Sequence, residues 1–479
     1  MKKIFLAFLL SLFIIVLKAQ NTEIKIKFRT FKNQDIYLGF HYGNNKYIRD
    51  TTHVDNKGIA VFTDKNKDLK GGIYLIITPD MNYFEFILAE KKIFLETDTG
   101  DFIKQMKVIE SEENKIFFNY LLYIEQKQQE KQNILKEKAI FADNKQKSDE
   151  YDKKVSQVDE DVKNYMKSLI EKYPDKFFPK VLKMMNDPVP REKLNNEADS
   201  TYSEYLYNFY QQHYFDNVDF SDEKILRTPI YESKIDRFMD RMTMHHPDSI
   251  KLSASRVIDL SRANEEVFKF TLVKLFNKYA QSEYMGMDAV YVYLAERYYL
   301  SGLAKWADSA QIKKIYDRVV KLSSNLIGMK APELIMKDTN DQYHSLHAQP
   351  GIYTILVFWD PSCGHCQKAI PFLEKYWERV SHDSFSIYSV NIGNDGKEWK
   401  QFIADNKLSF LCVWDPLNYN NFRVLYDIFS SPVVYLLDKN KKIVAKRIGV
   451  DKIEEIVNIL EGRTIPEKND LQDSKKEND

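Results

Sequence analysis

The sequence predicts a multidomain α+β chain. It would carry an N-terminal antiparallel β domain, a helical middle domain, and a C-terminal α/β domain with a central mixed sheet flanked by helices. Three observations predict this. The hydrophobic period changes twice along the chain, from two to the helical repeat and then to alternating strand and helix lengths. Glycine and proline number only 15 and 14 in 479 residues, against average usage of about 7% and 5%, which suits helices better than turn-dense sheets. The length also corresponds to roughly three domains at about 150 residues each.

Taken in order, residues 1–19 read as a secretory signal peptide. Lys2 and Lys3 precede an apolar run over 4–17 broken only by Ser11, and Ala19 offers a cleavage site before Gln20. The run falls short of the about 20 residues a membrane span needs; an uncleaved anchor is the competing reading. No cysteine lies near the cleavage point, which disfavours a lipid anchor. Residues 20–108 alternate apolar and polar positions, with runs at 23–28, 58–63, 72–78, 83–89 and 92–97 separated by turn signals at 55–58 and 79–82. They predict a β-sandwich-like domain. Over 109–326 the period becomes helical: Val155, Val158, Val162, Tyr165, Leu169 and Tyr173 form one apolar face that Pro174 ends. The very polar stretch 126–149 is a solvated helix or a helix–loop excursion. From 327 to 465 a hairpin (333–346) precedes strands at 354–359, 384–392, 410–414, 433–437 and 442–448, interleaved with helices at 364–380, 398–406, 419–429 and 452–460. That alternation implies parallel βαβ units, with antiparallel strands near the end. Residues 466–479 are charged and free of aromatics, as expected of a disordered tail.

Composition narrows the functions. Lys+Arg and Asp+Glu are both 70, so the formal net charge is +0. A nucleic-acid binder carries a basic surplus to neutralise phosphates, and none is expected here. Hydrophobic residues make up 44% of the chain, enough for real cores. Three cysteines exclude a disulfide-stapled scaffold.

Two of those cysteines carry chemistry. The apolar strand 354–359 runs into Asp360-Pro361-Ser362-Cys363-Gly364-His365-Cys366 and then a helix. A C-x-x-C at such a junction reads as a redox dithiol. Cys363 falls at a helix N-terminus, where unpaired N–H groups and the helix dipole stabilise a thiolate. Cys366, inside the first turn, can reach it and close or open a Cys363–Cys366 disulfide. Cys363 would attack a substrate disulfide and Cys366 would resolve the mixed disulfide. Gly364 and His365 form the spacer, and the histidine adds partial positive charge beside the thiolate. A zinc half-site would need further ligands, and only Cys412 and the isolated His382 are at hand. A purely structural disulfide over so short a loop would add little stability. No cofactor and no metal is expected.

Residues 327–460 resemble the thioredoxin-fold domains of envelope thiol–disulfide oxidoreductases of the TlpA and ResA kind. The resemblance rests on Phe358-Trp359, on Cys363-Gly364-His365-Cys366, on Pro371 five residues after the second cysteine, and on Ser431-Pro432 opening a strand. The central segment 391–415, with Trp399, Asp415 and the later Tyr426-Asp427, resembles the βα insertion of those proteins. The C-G-H-C spacer is that of protein disulfide isomerases. The resemblance implies a cis Pro432 against the dithiol, with Ser431, Pro432 and Gly449 lining a groove for the substrate chain. The sequence also departs from the pattern. Val357 and Ala369 stand where relatives carry carboxylates that handle the proton of the resolving thiol, and Ser362 replaces the usual tryptophan. Asp360 is the nearest carboxylate in sequence, with a solvated loop residue as its other reading. Upstream, residues 22–120 resemble the DUF4369 β domain through Gly72-Ile73-Tyr74 and Ser111-Glu112-Glu113-Asn114. The helical region resembles DUF5106 through His213-Tyr214-Phe215-Asp216 and Arg227-Thr228-Pro229.

The expected function is a periplasmic thiol–disulfide oxidoreductase of a bacterial, Gram-negative cell envelope. It would exchange disulfides with protein thiol clients and be reset by a membrane or periplasmic redox partner. The upstream domains would select clients or place the dithiol, and a homodimer is compatible with them. Two other readings stand beside it: an envelope binding or scaffold protein whose upstream domains carry the role, and a peroxidase-type thiol enzyme. A peroxidase needs Thr or Ser three residues before its reactive cysteine, where this chain has Asp360. Cys412 reads as a buried small hydrophobe. His245-His246 reads as a solvated turn, and Asp216, Asp219 and Asp222 as loop and cap carboxylates rather than a calcium loop.

Overall fold

A computed structural model describes residues 22–64, 69–141 and 143–463. The signal peptide expected over 1–19 and the tail expected over 466–479 lie outside the described residues. No described helix is long and apolar enough to cross a membrane.

The chain divides into two compact units. The first holds residues up to 244 together with 256–271; the second holds 245–255 and everything from 272 onward. In the first unit, β1 (Glu23–Phe28), β4 (Ile59–Thr63), β7 (Lys92–Thr97) and β8 (Lys107–Glu110) form one sheet in the order β4-β1-β7-β8. A second sheet, β3-β2-β5-β6, is built from β2 (Gln34–Tyr42), β3 (Asn45–Val54), β5 (Gly72–Ile77) and β6 (Tyr83–Leu88). All pairings are antiparallel except β1 with β7, which run parallel. Alternation aims Ile24, Ile26 and Phe28 into a common core with Ile36, Leu38, Phe86 and Leu95, while Glu23, Lys25 and Lys27 face outward. The hairpin β2–β3 adds strands that the alternation did not single out. β3 buries only its last residue, so its pattern carries little inward–outward contrast. β5 is buried along its whole length. At its start, a Cβ on Gly72 would lie 2.2 Å from the Arg227 Cβ, so only glycine lets the turn Glu223–Arg227 approach this closely.

The polar stretch 126–149 proves to be the far end of a helical hairpin, α1 (Glu112–Ile140) and α2 (Lys145–Lys172). Lys127 reaches Asp161 at 2.8 Å, Lys131 reaches Asp159 at 2.6 Å, and the Tyr123 and Tyr165 rings lie 4.1 Å apart. The residues Ser111 to Asn114 join this hairpin to the sandwich. Ser111 caps α1 by accepting the N–H of Asn114. Asn114, fully buried, accepts the N–H of Ile87 at 2.8 Å and donates to the Ile87 carbonyl at 2.8 Å, completing the edge of β6. The Glu113 carboxylate accepts the first N–H groups of α3 (Phe177–Met185), from Phe177 at 2.6 Å and Phe178 at 3.0 Å. Burial outweighs those bonds and raises its pKa. The helical region continues with α4 (Asp199–His213), α5 (Ile230–Arg241), α6 (Pro247–Ser261) and α7 (Glu265–Ala280). The unit division falls within α6 and α7. Asp216, Asp219 and Asp222 bond His213, Lys180 with Ser221, and the N–H of Lys224, all as local loop and cap contacts.

The second unit joins α8 (Asp288–Leu294), a π-helical turn (Ala295–Leu300) and α9 (Ser309–Ser323) to the C-terminal sheet. That sheet has the order β10-β9-β13-β12-β11-β14-β15, with β9 (Ile335–Lys337), β10 (Tyr343–Ser345), β11 (Tyr353–Trp359), β12 (Phe385–Asn391), β13 (Leu411–Trp414), β14 (Val433–Leu437) and β15 (Ile443–Lys446). β11, β12 and β13 run parallel; β14 is antiparallel to β11, and β15 to β14. This is the expected mixed sheet, with α10 (Cys366–Trp377), α11 (Gly396–Asp405) and α13 (Ile453–Leu460) as its helices. The helix expected over 419–429 is much shorter, α12 (Phe422–Leu425). Asp415 takes up the N–H groups of Tyr419 at 3.1 Å and Asn420 at 2.8 Å, and Asn421 and Asp427 adopt positive φ on either side of the single turn.

Replacing Asn114 with Ala leaves the N–H and carbonyl of Ile87 buried without partners. The expected cost is about 2–3 kcal/mol, read as a lower urea midpoint with an unchanged slope.

Candidate active site

β11 is the central strand, and all seven of its residues are buried. Hydrogen-bonded neighbours on both sides and apolar clusters on both faces fix where it ends. The chain leaves it at Asp360 in a tight turn. The Asp360 carboxylate accepts the N–H of Ser362 at 2.9 Å and its hydroxyl at 2.7 Å, and the Asp360 carbonyl accepts the N–H of Cys363 at 3.1 Å. That capping role matches the reading of Asp360 as a loop carboxylate. Cys363 sits just outside the helix, and its carbonyl accepts the first helical N–H, from Gln367 at 3.0 Å. α10 begins at Cys366 itself.

The two sulfurs have opposite surroundings. Cys363 is partly exposed; Cys366 is 0% exposed and packs in the apolar cluster of β11. The Cys366 Sγ accepts the N–H of Asp360 at 3.5 Å. The Cys363 thiol points across to the Ser431 carbonyl at 3.6 Å, and the Ser431–Pro432 peptide is cis. β11 and β14 are antiparallel neighbours, so the end of one lies beside the start of the other. The loop entering β14 is held from behind. Asp427, buried and at φ 50, receives Arg318 at 2.5 Å and Arg447 at 2.8 Å, and the Tyr435 hydroxyl donates to the Tyr426 carbonyl at 2.6 Å.

These surroundings split the acidities. Cys363 is lowered to about 7, first by hydrogen bonding from Ser431, then by the N–H groups of Cys366 and His365. Cys366 is pushed up to about 11 by burial. At neutral pH about half of the outer sulfur is therefore thiolate while the inner one holds its proton.

The structure thus gathers Cys363, Cys366, Ser431 and Pro432 at one place. The His365 ring is exposed, and what this residue gives the thiolate is its backbone N–H. Gly364 is also exposed, and nothing stands within 4 Å of where a Cβ on it would sit. Gly449 follows β15 and caps the short turn Val450–Lys452; its neighbour Ile448 donates to the Val434 carbonyl at 3.5 Å. Val357 is fully buried among apolar residues. It aligns across the sheet with Ser389 and Cys412. Burial pushes the Cys412 thiol up to about 12, as its reading as a small hydrophobe expects. Sequence reasoning missed the Ser431 hydroxyl as a thiolate partner and Asp427 as the anchor of its loop. Tyr426-Asp427 was visible as a family-like pair, but nothing local to it pointed to Arg318 or Arg447. Among the described residues no three of His, Cys, Asp and Glu gather closely enough to hold a metal ion.

A dithiol of unequal acidity at the end of a central strand, facing a cis-proline loop in a mixed sheet, defines the class of thioredoxin-like oxidoreductases. Residues 327–446 match the model of the AhpC/TSA family, and residues 141–322 match DUF5106, a domain of unknown function. Thiol-disulfide oxidoreductase ResA of Geobacillus thermodenitrificans is 25% identical over 135 residues, covering 28% of this chain and 76% of that protein. ResA of Bacillus subtilis is 26% identical over 119 residues, covering 24% and 64%. Among solved structures, a domain of a possible thiol-disulfide isomerase from Cytophaga hutchinsonii is 41% identical over 29% of this chain and 94% of its own, with a TM-score of 0.28. A thioredoxin-like protein from Bacteroides caccae covers 57% of this chain and 98% of its own at 20% identity, with a TM-score of 0.45. The C-terminal domain is therefore similar to the ResA-type thiol–disulfide oxidoreductases, and the chain is a thiol–disulfide oxidoreductase of thioredoxin-like fold.

Ser431→Ala removes the first-ranked support of the thiolate. The Cys363 titration, followed by thiolate absorbance at 240 nm, is expected to move from about 7 toward the ordinary thiol value of about 8.5. Alkylation by iodoacetamide at pH 7 slows accordingly, because only the ionised fraction reacts.

Proposed function

We propose that this protein exchanges disulfides with protein clients in the bacterial periplasm, with Cys363 as nucleophile and Cys366 as resolving thiol. The opposed acidities of the two sulfurs, about 7 and about 11, carry this reading. In the reducing direction, the Cys363 thiolate attacks one sulfur of a client disulfide. A Cys363–client bond forms and the client's other sulfur leaves as a thiolate. Cys366 then gives up its proton and attacks the Cys363 sulfur, releasing the second client thiolate. Two electrons pass to the client, two protons satisfy its thiols, and a Cys363–Cys366 disulfide remains. Oxidation of a client dithiol runs the same steps in reverse, and an envelope redox partner resets the pair. Stabilising the Cys363 anion favours the dithiol form as pH rises above about 7, which makes the couple more oxidising than one with an ordinary thiol.

The spacer Gly364-His365 tunes this balance, and Ser431, Pro432 and Gly449 form the groove along which the client chain lies. Ser431 supports the groove assignment most directly, because its carbonyl already faces the reactive sulfur. Export rests on the leader-like residues 1–19.

Cys366→Ser is expected to accumulate mixed disulfides linked through Cys363, seen as reductant-sensitive adducts on non-reducing gels. Cys363→Ala abolishes these adducts and lowers exchange with a disulfide peptide on the order of 100-fold or more. A Cys366→Ser protein that captures no client from periplasmic extract, while its Cys363 stays alkylatable, would overturn the reading.

A further inference from the structure

Within the second unit, a cleft of about 450 Å³ is lined in part by Phe429, on the loop that carries Ser431. One wall is the connection between α7 and α8, with Tyr284 81% exposed and Met285 47% exposed. The other is Phe429, 72% exposed, on the loop entering β14; the Arg447 guanidinium lies 4.4 Å over its ring. The floor holds Tyr291, Leu322 and the ion pair of Lys446 with Asp288. Charges within it are largely spent on one another. Lys446 also bonds Asn325 at 2.8 Å, and Arg318 and Arg447 share Asp427; Glu283 is the remaining carboxylate in the lining. The cleft thus joins an exposed aromatic and thioether rim to a lining that is otherwise largely polar.

We infer that this cleft is a docking site for an apolar or aromatic side chain of an extended client polypeptide, a few residues from the client cysteine. The inference rests on the proposed exchange at Cys363 and names its client class. Position supports it. Phe429 is two residues from Ser431, whose carbonyl is 3.6 Å from the Cys363 sulfur. The Phe429 Cα thus lies within about 13 Å of that sulfur by chain geometry, a span an extended peptide covers in about four residues. Chemistry supports it too. Tyr284, Met285 and Phe429 are exposed together at one cleft, and clustered aromatic and thioether side chains are typical of binding anchors that accept varied partners. A folded client keeps such side chains buried, so the cleft selects unfolded or extended chains.

The test uses the full-length protein and two peptides, each with one cysteine in an activated mixed disulfide. One carries Phe four residues from the cysteine and the other carries Ser there. Wild type is expected to react with the Phe peptide at least ten times faster. In Phe429→Ser/Tyr284→Ser, both sites being exposed, that ratio falls to near one, with the thermal midpoint checked to confirm folding. A wild-type ratio near one, or a ratio the double substitution does not change, overturns the inference and leaves disulfide exchange standing. Should neither peptide react, the exchange reading fails instead. The cleft is then judged by anisotropy titration of a labelled Phe peptide lacking cysteine, where at least tenfold weaker binding to the double variant supports it and equal binding overturns it. Self-association of the wild type that the double substitution abolishes would assign the cleft to a second copy of the chain and also overturn the inference.

Discussion

One sulfur atom is addressed from two directions, and the C-terminal sheet is built around that meeting. The chain leaves β11 into the turn bearing Cys363 and returns into β14 from the loop bearing Ser431. Because the two strands are antiparallel neighbours, both loops emerge at the same end of the sheet. The hydroxyl of one loop and the N–H groups of the other then converge on one thiolate. Neither alone would separate the two cysteines so far in acidity, and burial of Cys366 completes the separation. Apolar packing on both faces of β11 and the short polar contacts of Asp360 and Asp427 hold the two loops, while the contacts to the sulfurs themselves are long.

What the sequence discloses depends on how local the signal is. Cys363 and Cys366 are legible because an apolar strand, a turn and a helix follow one another within about two dozen residues, and the dithiol stands at their junction. The sandwich strands with strong alternation are legible for the same reason. β3 is not, since an exposed edge strand has no buried face to write into its pattern. The helix expected over 419–429 fails because its apolar residues, Phe422 and Tyr426, are buried by tertiary packing on Phe358 rather than by helical periodicity. His365 is exposed, and its backbone N–H is among the groups that lower the Cys363 pKa, a contribution its residue type does not announce. The Ser431 contact spans 68 residues of chain, and Arg318 reaches Asp427 across 109. Contacts of that range require the sheet register before they can be read.

The helices ahead of the C-terminal sheet are more than a tether. α9 and the residues after it bond to the loop that presents Ser431: Arg318 to Asp427, and Ser324 and Asn325 to the Leu425 carbonyl at 2.8 and 2.9 Å. Lys446, buried and with its pKa lowered by burial, is met by Asp288 and Asn325. Removing a single partner from such a buried set strands a charge, which typically costs more than the pair contributes. The sequence boundary near 326 separates two textures of pattern, whereas the compact unit runs back to 272 and includes 245–255. The part of the chain that does chemistry and the part that braces it are therefore one physical body.

The open space over Gly364 has an evolutionary corollary. A side chain added there would meet no neighbour, so substitution at this one position changes the surface beside the outer sulfur without disturbing the packing that holds it, and variation among descendants can accumulate here at no structural cost.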